Sequence, residues 1–248
     1  MRSILITGCN RGLGLGLVKH LMRVPQPPQH IFATCRDANK ARELTALAQE
    51  SNNVHIIEID LVDLDKYKEI VQTVSEKVGE AGLNVLFNNA GTSPKFARLG
   101  FLKPDQLTST FFVNAVVPMV LTKAFLPLLK TASKNFDDKS KMSINRSAVI
   151  NMSSLLGSIA DNSQGGQYAY RCSKAALNAA TKSMSIDLRE DGILVACLHP
   201  GWVRTDMGGN NAPMDVDTSV SNILRTLASL TEEHTGCFIQ HDGSSLPW

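Results

Sequence analysis

Short apolar runs alternate with longer amphipathic stretches along the whole chain, and this alternation limits the folds that the chain can adopt. The apolar runs have strand length and lie near residues 3–7, 30–35, 54–59, 83–87, 147–152, 193–199 and 236–240. The stretches with helical periodicity lie near residues 13–22, 37–50, 63–79, 104–131, 166–189 and 215–230. Strands that are apolar at nearly every position are typical of parallel sheets buried on both faces. The pattern therefore predicts an α/β fold, a doubly wound parallel sheet of about seven strands with helices on both faces.

Length and composition agree with one domain that spans residues 1–248. The chain has 43% hydrophobic and 19% charged residues, which is the composition of an ordinary globular protein. Its formal net charge of +2 offers no basic surface of the kind that nucleic acids need. We therefore expect no nucleic-acid partner.

The sequence pattern predicts neither a leader nor a membrane span. The first predicted strand begins within three residues of the N-terminus, which leaves no room for a charged and then apolar leader. The longest apolar stretch, Phe111 to Leu121, is interrupted by Asn114 and Pro118 and is shorter than the ~18–20 residues of a membrane helix. We expect a soluble, cytoplasmic protein without a membrane partner.

The cysteines and histidines lack the spacing of metal ligands. The five cysteines, at positions 9, 35, 172, 197 and 237, never form a CxxC pair, and the six histidines are scattered. Reduced thiols and no bound metal are the expectation. Oxidation of Cys9 or Cys172 is the alternative that the sequence leaves open.

A glycine-rich turn connects the first predicted strand to the first predicted helix. The segment Gly8–Gly14 reads Gly-Cys-Asn-Arg-Gly-Leu-Gly, a GxxxGxG spacing that differs from the GxGxxG dinucleotide fingerprint. Glycines allow a tight turn and close approach of a ligand, and the helix start offers free N–H groups to a phosphate. A plain turn is the alternative, but its place between strand and helix favours a nucleotide site.

The end of the second predicted strand indicates the type of nucleotide. Arg36 and Asp37 stand where dinucleotide-binding folds contact the adenosine ribose, and an Arg there suits a 2′-phosphate whereas a carboxylate suits a free hydroxyl. Arg36, together with Arg11 of the glycine turn, can make charge-assisted contacts to such a phosphate. The sequence favours NADP(H), and Asp37 keeps NAD as the alternative.

Tyr170 and Lys174 are four residues apart in a predicted helix. Helical neighbours at this spacing lie ~5–6 Å apart, so an ammonium there can favour ionisation of a phenol whose ordinary pKa is ~10. Tyr168 lies close by but has no Lys four residues later. Taken alone, the pair also fits a core aromatic beside a solvated amine.

Further motifs, all except Asn114, follow the later strands, where parallel sheets bind their ligands. They are Asp60, Asn88-Asn89-Ala90-Gly91, Asn114 in Phe112-Val113-Asn114, Ser153-Ser154, and Pro200-Gly201-Trp202-Val203-Arg204-Thr205. In this order the motifs resemble those of the short-chain dehydrogenase/reductase family in its single-domain form, with a Rossmann-type fold. Within the family the chain is most similar to the Sniffer-type carbonyl reductases, and the resemblance spans nearly its whole length.

The resemblance implies a catalytic set of Asn114, Ser154, Tyr170 and Lys174. Tyr170 is then the proton donor, Lys174 lowers its pKa and holds the nicotinamide ribose, and Ser154, rather than Ser153, binds the substrate oxygen. Asn114 helps to hold a water chain that returns protons to Tyr170. The separation of Ser154 and Tyr170 is longer than is usual in the family, so residues 159–167 are expected to form an enlarged loop beside the substrate.

The resemblance also implies a set of cofactor contacts. They are Gly8, Asn10, Arg11, Gly12, Leu13, Gly14, Arg36, Asp60, Leu61, Asn88, Ala90, Gly91, Tyr170, Lys174, Pro200, Gly201, Val203 and Thr205. Residues 207–213 are rich in small turn formers and are expected to form a short, mobile lid over an open site.

The expected function is the NADPH-dependent reduction of a small aldehyde or ketone to an alcohol. Two alternatives stay open, an NADP-linked alcohol or hydroxysteroid dehydrogenase that works oxidatively, and a regulatory protein that binds the cofactor without turnover. A homodimer is expected through the segments Ala175–Leu188 and Val216–Leu230, which the family implies as subunit contacts. The sequence does not identify the physiological substrate.

Overall fold

A single parallel sheet forms the centre of the protein, as seen in a computed structural model that describes residues 1–248. Its seven strands lie in the order β3-β2-β1-β4-β5-β6-β7, and every neighbouring pair is parallel. The strands are β1 Ser3–Ile6, β2 His30–Cys35, β3 Val54–Glu58, β4 Val85–Asn88, β5 Ala148–Met152, β6 Leu194–His199 and β7 Phe238–Gln240. The predicted Rossmann-type sheet is confirmed. The strand order reverses between β1 and β4, which creates a crevice at the carboxyl edge.

Helices cover both faces of the sheet. They are α1 Gly12–Leu21, α2 Arg42–Glu50, α3 Tyr67–Val78, α4 Pro104–Phe111, α5 Val117–Lys134, α6 Tyr168–Asp187 and α7 Val216–Ser229. Ile4 and Ile6 of β1 face one core with α1, α2 and α7, while Leu5 faces the other core with α3, α5 and the end of α6. Because side chains alternate along a strand, one β-strand supplies both cores.

The helices α4 and α5 are joined by a π-helical turn, Phe112–Val116, that places Asn114 beside α6. By length and composition the joined helix, Pro104–Lys134, suffices to cross a membrane, with a mean hydropathy of 1.8 in its most apolar window. This corrects the expectation that no stretch is long enough. Half of that window is buried inside the protein, however, as in the core helix of a soluble protein.

The segment between α5 and β5 contains buried apolar and buried polar side chains. Met142 and Ile144 are buried and belong to the core beneath α1. The guanidinium of Arg146 is also largely buried and donates hydrogen bonds to Ser133 Oγ at 2.9 Å and to the Lys139 carbonyl at 2.6 Å. These contacts hold the segment on the body of the protein.

Candidate functional site

The glycine turn lies at the carboxyl edge of the sheet and leads directly into α1. Gly8 and Gly12 have positive φ angles of +71° and +57°, a conformation that other residues adopt with difficulty. Gly14 packs so tightly that a Cβ there would lie 2.3 Å from the Gly8 carbonyl oxygen. No side chain caps the first turn of α1, so its N–H groups remain available to an anionic ligand.

Asn89 fastens this turn to the end of β4. Its Nδ2 donates to the carbonyls of Thr7 at 2.8 Å and Gly8 at 3.2 Å. In return, Thr7 Oγ1 accepts from the main-chain N–H groups of Asn89 and Ala90, at 3.0 and 2.9 Å. The sequence analysis quoted Asn89 only as part of a motif and missed this role. The position of Asn89 within the motif after β4 was the sequence feature that could have indicated this role.

At the end of β2, Arg36 is exposed, whereas the side chain of Asp37 is bound to neighbouring residues. Asp37 accepts a hydrogen bond from Asn39 N at 3.0 Å and forms an ion pair with Lys40 at 3.0 Å. Hydrogen bonding to Lys40 is the main cause that lowers the pKa of Asp37. The carboxylate therefore begins a short 3₁₀ turn, and Arg36 is the group at this place that stays available to a ligand.

The other residues expected around the adenosine lie at the same edge of the sheet. They differ in their exposure and in their hydrogen bonds. Asp60 is exposed, and its Oδ1 accepts from Val62 N at 3.3 Å. The side chain of Asn88 is buried and donates to Asn151 Oδ1 at 2.8 Å, so that it stabilises the neighbouring strands. Only the main chain of Asn88 is therefore available to a cofactor. Leu61 and Ala90 are partly buried along the same edge, and Gly91 is exposed.

Tyr170 and Lys174 lie side by side on α6, near the end of β5. The Lys174 Nζ lies 5.8 Å from the centre of the Tyr170 ring and donates to the Met152 carbonyl at 2.7 Å. A Cβ on Gly91 would lie 3.5 Å from that Nζ and 3.3 Å from Asn114 Oδ1. Glycine at position 91 thus leaves room beside Lys174.

Asn114 is fully buried, and its side chain is committed to neighbouring residues. Its Oδ1 accepts from Thr92 N at 2.8 Å, and its Nδ2 donates to Thr92 O at 2.8 Å and to Ser173 Oγ at 3.0 Å. The asparagine therefore joins the loop after β4 to α6. Both amide hydrogens of Asn114 are thus used within the protein.

The structure distinguishes between the two adjacent serines after β5. Ser153 Oγ donates to Asn178 Oδ1 at 2.6 Å and is buried beneath α6. Ser154 instead lies close enough to Tyr170 for its side chain to lower the pKa of the phenol. Its Oγ also accepts from Leu156 N at 3.2 Å, at the start of a 3₁₀ turn. Because Ser153 is used beneath α6, Ser154 is the serine that stays available, and its role at the substrate oxygen stays a prediction.

Burial controls the ionisation of Tyr170 and Lys174. It raises the pKa of Tyr170, and the side chain of Ser154 only partly opposes this effect. Burial also lowers the pKa of Lys174 to about 8. Loss of solvent disfavours the charged form of both groups and is the larger effect, so the expected lowering of the Tyr170 pKa by Lys174 stays a prediction. At neutral pH the phenol carries its proton.

Residues Pro200–Thr205 turn back over the site after β6. Gly201 has a φ of +85°, and Ser219 Oγ donates to the Pro200 carbonyl at 2.7 Å. Val203 is buried and forms a β-bridge with Met214, which closes the base of the loop. The loop is further bound internally, since Trp202 Nε1 donates to the Gly208 carbonyl at 2.8 Å. The mobility expected of residues 207–213 remains a prediction.

A family model described as "short chain dehydrogenase" matches residues 2–215. The chain belongs to the short-chain dehydrogenase family. Among solved structures, one titled carbonyl reductase Sniffer of D. melanogaster is 54% identical with a TM-score of 0.99, over 100% of both chains. The NADPH-bound carbonyl reductase from chicken fatty liver is 39% identical with a TM-score of 0.94, covering 100% of this chain and 99% of that one.

One curated relative has a different kind of name. The "C-signal" protein of Myxococcus xanthus is 42% identical over 166 residues, which cover 67% of this chain and 93% of that protein. The family expected from the order of the motifs is confirmed by the family model and the solved structures. Short-chain dehydrogenases are oxidoreductases, so membership of the family identifies the protein as an oxidoreductase.

The five cysteines are free in this short-chain dehydrogenase. Cys9 is fully buried, and burial raises the pKa of its thiol, which makes the reactive thiolate scarce. Cys172 is exposed on α6. The structure brings no three His, Cys, Asp or Glu side chains together as a metal-binding group.

Proposed function

We propose that the protein is an NADPH-dependent carbonyl reductase that converts an aldehyde or ketone to an alcohol. The observation that carries this proposal is the position of the Tyr170 phenol beside Lys174, whose Nζ is bound to the end of β5 at the carboxyl edge of the sheet, where Ser154 follows. Reduction requires a proton donor at this place, and a phenol with a raised pKa keeps its proton at neutral pH. Two similar solved structures have carbonyl reductase in their titles, one with NADPH bound.

Each catalytic side chain has a distinct role in this proposal. NADPH supplies the hydride that adds to the carbonyl carbon. Ser154 donates a hydrogen bond to the carbonyl oxygen and positions it beside Tyr170, which transfers its proton to that oxygen. The Lys174 ammonium stabilises the phenolate that remains until the proton is replaced. The hydride and the proton together account for both hydrogens of the alcohol.

The proposed cofactor preference rests on Arg36. A 2′-phosphate carries close to two negative charges, and Asp37 is already paired with Lys40. A charge-assisted contact from Arg36 contributes ~1.5–3 kcal/mol, and a second one from Arg11 brings the preference to roughly a hundredfold or more. The uncapped start of α1 suits the pyrophosphate of the same cofactor.

The direct test is a screen of aldehydes and ketones with NADPH and NADH side by side. We expect turnover with NADPH and a much higher Michaelis constant for NADH. Arg36→Asp should raise the Michaelis constant for NADPH steeply and leave that for NADH nearly unchanged. Arg23→Asp, at an exposed arginine beyond the end of α1, is the matched control for the change in charge. Equal use of both cofactors by the unaltered protein would contradict the phosphate site.

Two other functions are tested by the same screen. An oxidative alcohol or hydroxysteroid dehydrogenase would favour NADP⁺ with an alcohol, and a phenol that keeps its proton at neutral pH is unfavourable for that direction. A binding-only protein would show no turnover. The name of the Myxococcus xanthus relative raises that idea, but a protein that only binds has no need of Ser154, Tyr170 and Lys174 together.

We also propose that residues 1–248 act as one unit, in the cytoplasm and as a homodimer. The five free cysteines suit a reducing compartment. Exposed apolar side chains on α5 and α6, including Met119 and Ile186, support a subunit contact on those helices. The outward positions of α7, which the sequence analysis also expected to pair, are mainly polar and include Asp217, Thr218, Ser221 and Arg225.

A further inference from the structure

The glycine turn and the loop after β6 are connected by an ion pair. Arg11 Nη1 donates to Asp206 Oδ2 at 2.7 Å, and the two side chains are 67% and 71% exposed. The two segments also meet next to this pair, since a Cβ on Gly12 would lie 3.5 Å from the Thr205 methyl group. Arg11 is also the expected partner of the 2′-phosphate, whereas the motifs indicate no role for Asp206.

The 2′-phosphate and Asp206 would hold the Arg11 guanidinium at two different places along the crevice. The proposed 2′-phosphate lies next to Arg36 at the end of β2, which neighbours β1 in the sheet. Asp206 comes from the loop after β6, and β4 and β5 separate that strand from β1. Because neighbouring strands lie ~4.8 Å apart, the ends of β2 and β6 are separated by roughly 19 Å. A guanidinium paired with Asp206 is therefore held towards the nicotinamide end of the crevice and away from Arg36.

We propose that Asp206 is a specificity-tuning residue that competes with the 2′-phosphate of NADP(H) for Arg11. This proposal rests on the proposed function and extends it. In the free protein, Arg11 pairs with Asp206 and joins the loop after β6 to the glycine turn. When NADP(H) binds, Arg11 transfers to the phosphate and the loop loses this connection. Asp206 thus weakens the binding of NADP(H), whereas NAD(H) lacks the phosphate and leaves the ion pair intact.

The exposure of the pair sets the size of the expected effect. Exposed ion pairs contribute ~0.2–1 kcal/mol, which corresponds to no more than about a fivefold change in a dissociation constant. The effect should also shrink as salt is added, because salt screens exposed charges. Asp206 therefore adjusts the affinity for NADP(H) and does not determine the choice of cofactor.

The test measures dissociation constants of NADPH and NADH by cofactor fluorescence for four full-length proteins. These are the unaltered chain, Asp206→Asn, Arg11→Met and the double variant. We expect Asp206→Asn to bind NADPH two- to fivefold more tightly at low salt and NADH unchanged. In the Arg11→Met background, the Asp206 substitution should have no effect. As a control, Asp217→Asn removes another exposed carboxylate, which is paired with His20 instead, and should leave both constants unchanged.

Three outcomes would overturn the proposal. Weaker NADPH binding by Asp206→Asn would show that the carboxylate supports the cofactor. An equal effect on NADH would show that the phosphate is not involved. An effect that persists without Arg11 would show simple repulsion between Asp206 and the phosphate. Failure of the proposed function has a separate signature, since the unaltered chain would then bind NADPH no better than NADH, whatever stands at position 206.

Discussion

Tyr170 is the residue on which the proposed chemistry depends most directly. Tyr170→Phe removes the hydroxyl that delivers the proton and keeps the ring on α6. We expect a ~10²–10⁴-fold loss in the rate of carbonyl reduction, with the affinity for NADPH nearly unchanged. Steady-state kinetics and fluorescence titration measure the two quantities. Tyr168→Phe is the matched control and should remain active, because Lys174 lies beside Tyr170. A Tyr170→Phe protein with half of the normal activity would refute the assignment.

The ionisation of Lys174 is expected to determine how the reaction rate depends on pH. Burial lowers its pKa to about 8, so the ammonium is lost as pH rises through that value. The reduction rate should therefore fall above pH about 8, while oxidation of the corresponding alcohol should become more favourable. The pH profile of kcat/KM in both directions is the measurement. A reduction rate that stays flat well above pH 8 would contradict the role of the ammonium.

The same pKa has a consequence for stability. The folded pKa of about 8 lies below the ordinary lysine value of 10.5, so the unfolded chain binds more protons between these two pH values. Stability contributed by the neutral amine is thus present above the unfolded pKa and is lost as pH falls towards the folded pKa. Relative to Lys174→Met, the unaltered protein should gain free energy of unfolding from pH 8 to pH 10.5.

At the scale of elements, the loop before α6 stores backbone strain next to the active site. Gln167 has a φ of +49° and is the one non-glycine residue with a positive φ in the chain. It follows Gly165 and Gly166, which share this conformation, and its N–H donates to the Ala97 carbonyl at 3.1 Å. The loop after β5 is thereby held against the loop after β4, close to Tyr170.

Glycine at this position should relieve the strain. The left-handed conformation costs roughly 1–2 kcal/mol for a residue with a Cβ, and the greater freedom of unfolded glycine offsets part of the gain. Gln167→Gly should therefore raise the free energy of unfolding in urea by up to about 1 kcal/mol relative to Gln167→Ala. Both variants lose the buried, unpaired Oε1, so their difference isolates the backbone contribution. Equal stability of the two would show that the conformation costs nothing.

The elements that sequence patterns missed are those that depend on distant partners. The strands were predictable because a parallel sheet buried on both faces requires continuous apolar runs. The π-helical turn at Asn114 was not, because it is stabilised by Thr92 and Ser173, which lie far away in the sequence. Apolar spacing indicates only that one long helix covers this region.

For the whole molecule, the sequence predicts where the motifs lie but not which of their side chains stay available. The motifs could be assigned to one edge because each follows a strand, and parallel strands bring their carboxyl ends together. Which side chains remain available at that edge could not be predicted. Asn88 is used within the sheet, Asp37 is paired with Lys40, and Arg11 is paired with Asp206. These choices depend on three-dimensional contacts that motif spacing does not encode.

Assembly is the prediction that belongs to the whole molecule. Met119 on α5 and Ile186 on α6 are 38% and 63% exposed, and burying such apolar surface favours association by ~25 cal/mol per Å². We expect sedimentation at micromolar concentration to give a dimer, and Met119→Glu combined with Ile186→Glu to give a monomer with unchanged circular dichroism. Val62→Glu, at an exposed apolar residue after β3, should leave the dimer intact. A single monomeric species for the unaltered protein would refute the homodimer. A dimer that survives the double substitution would place the contact elsewhere on the surface.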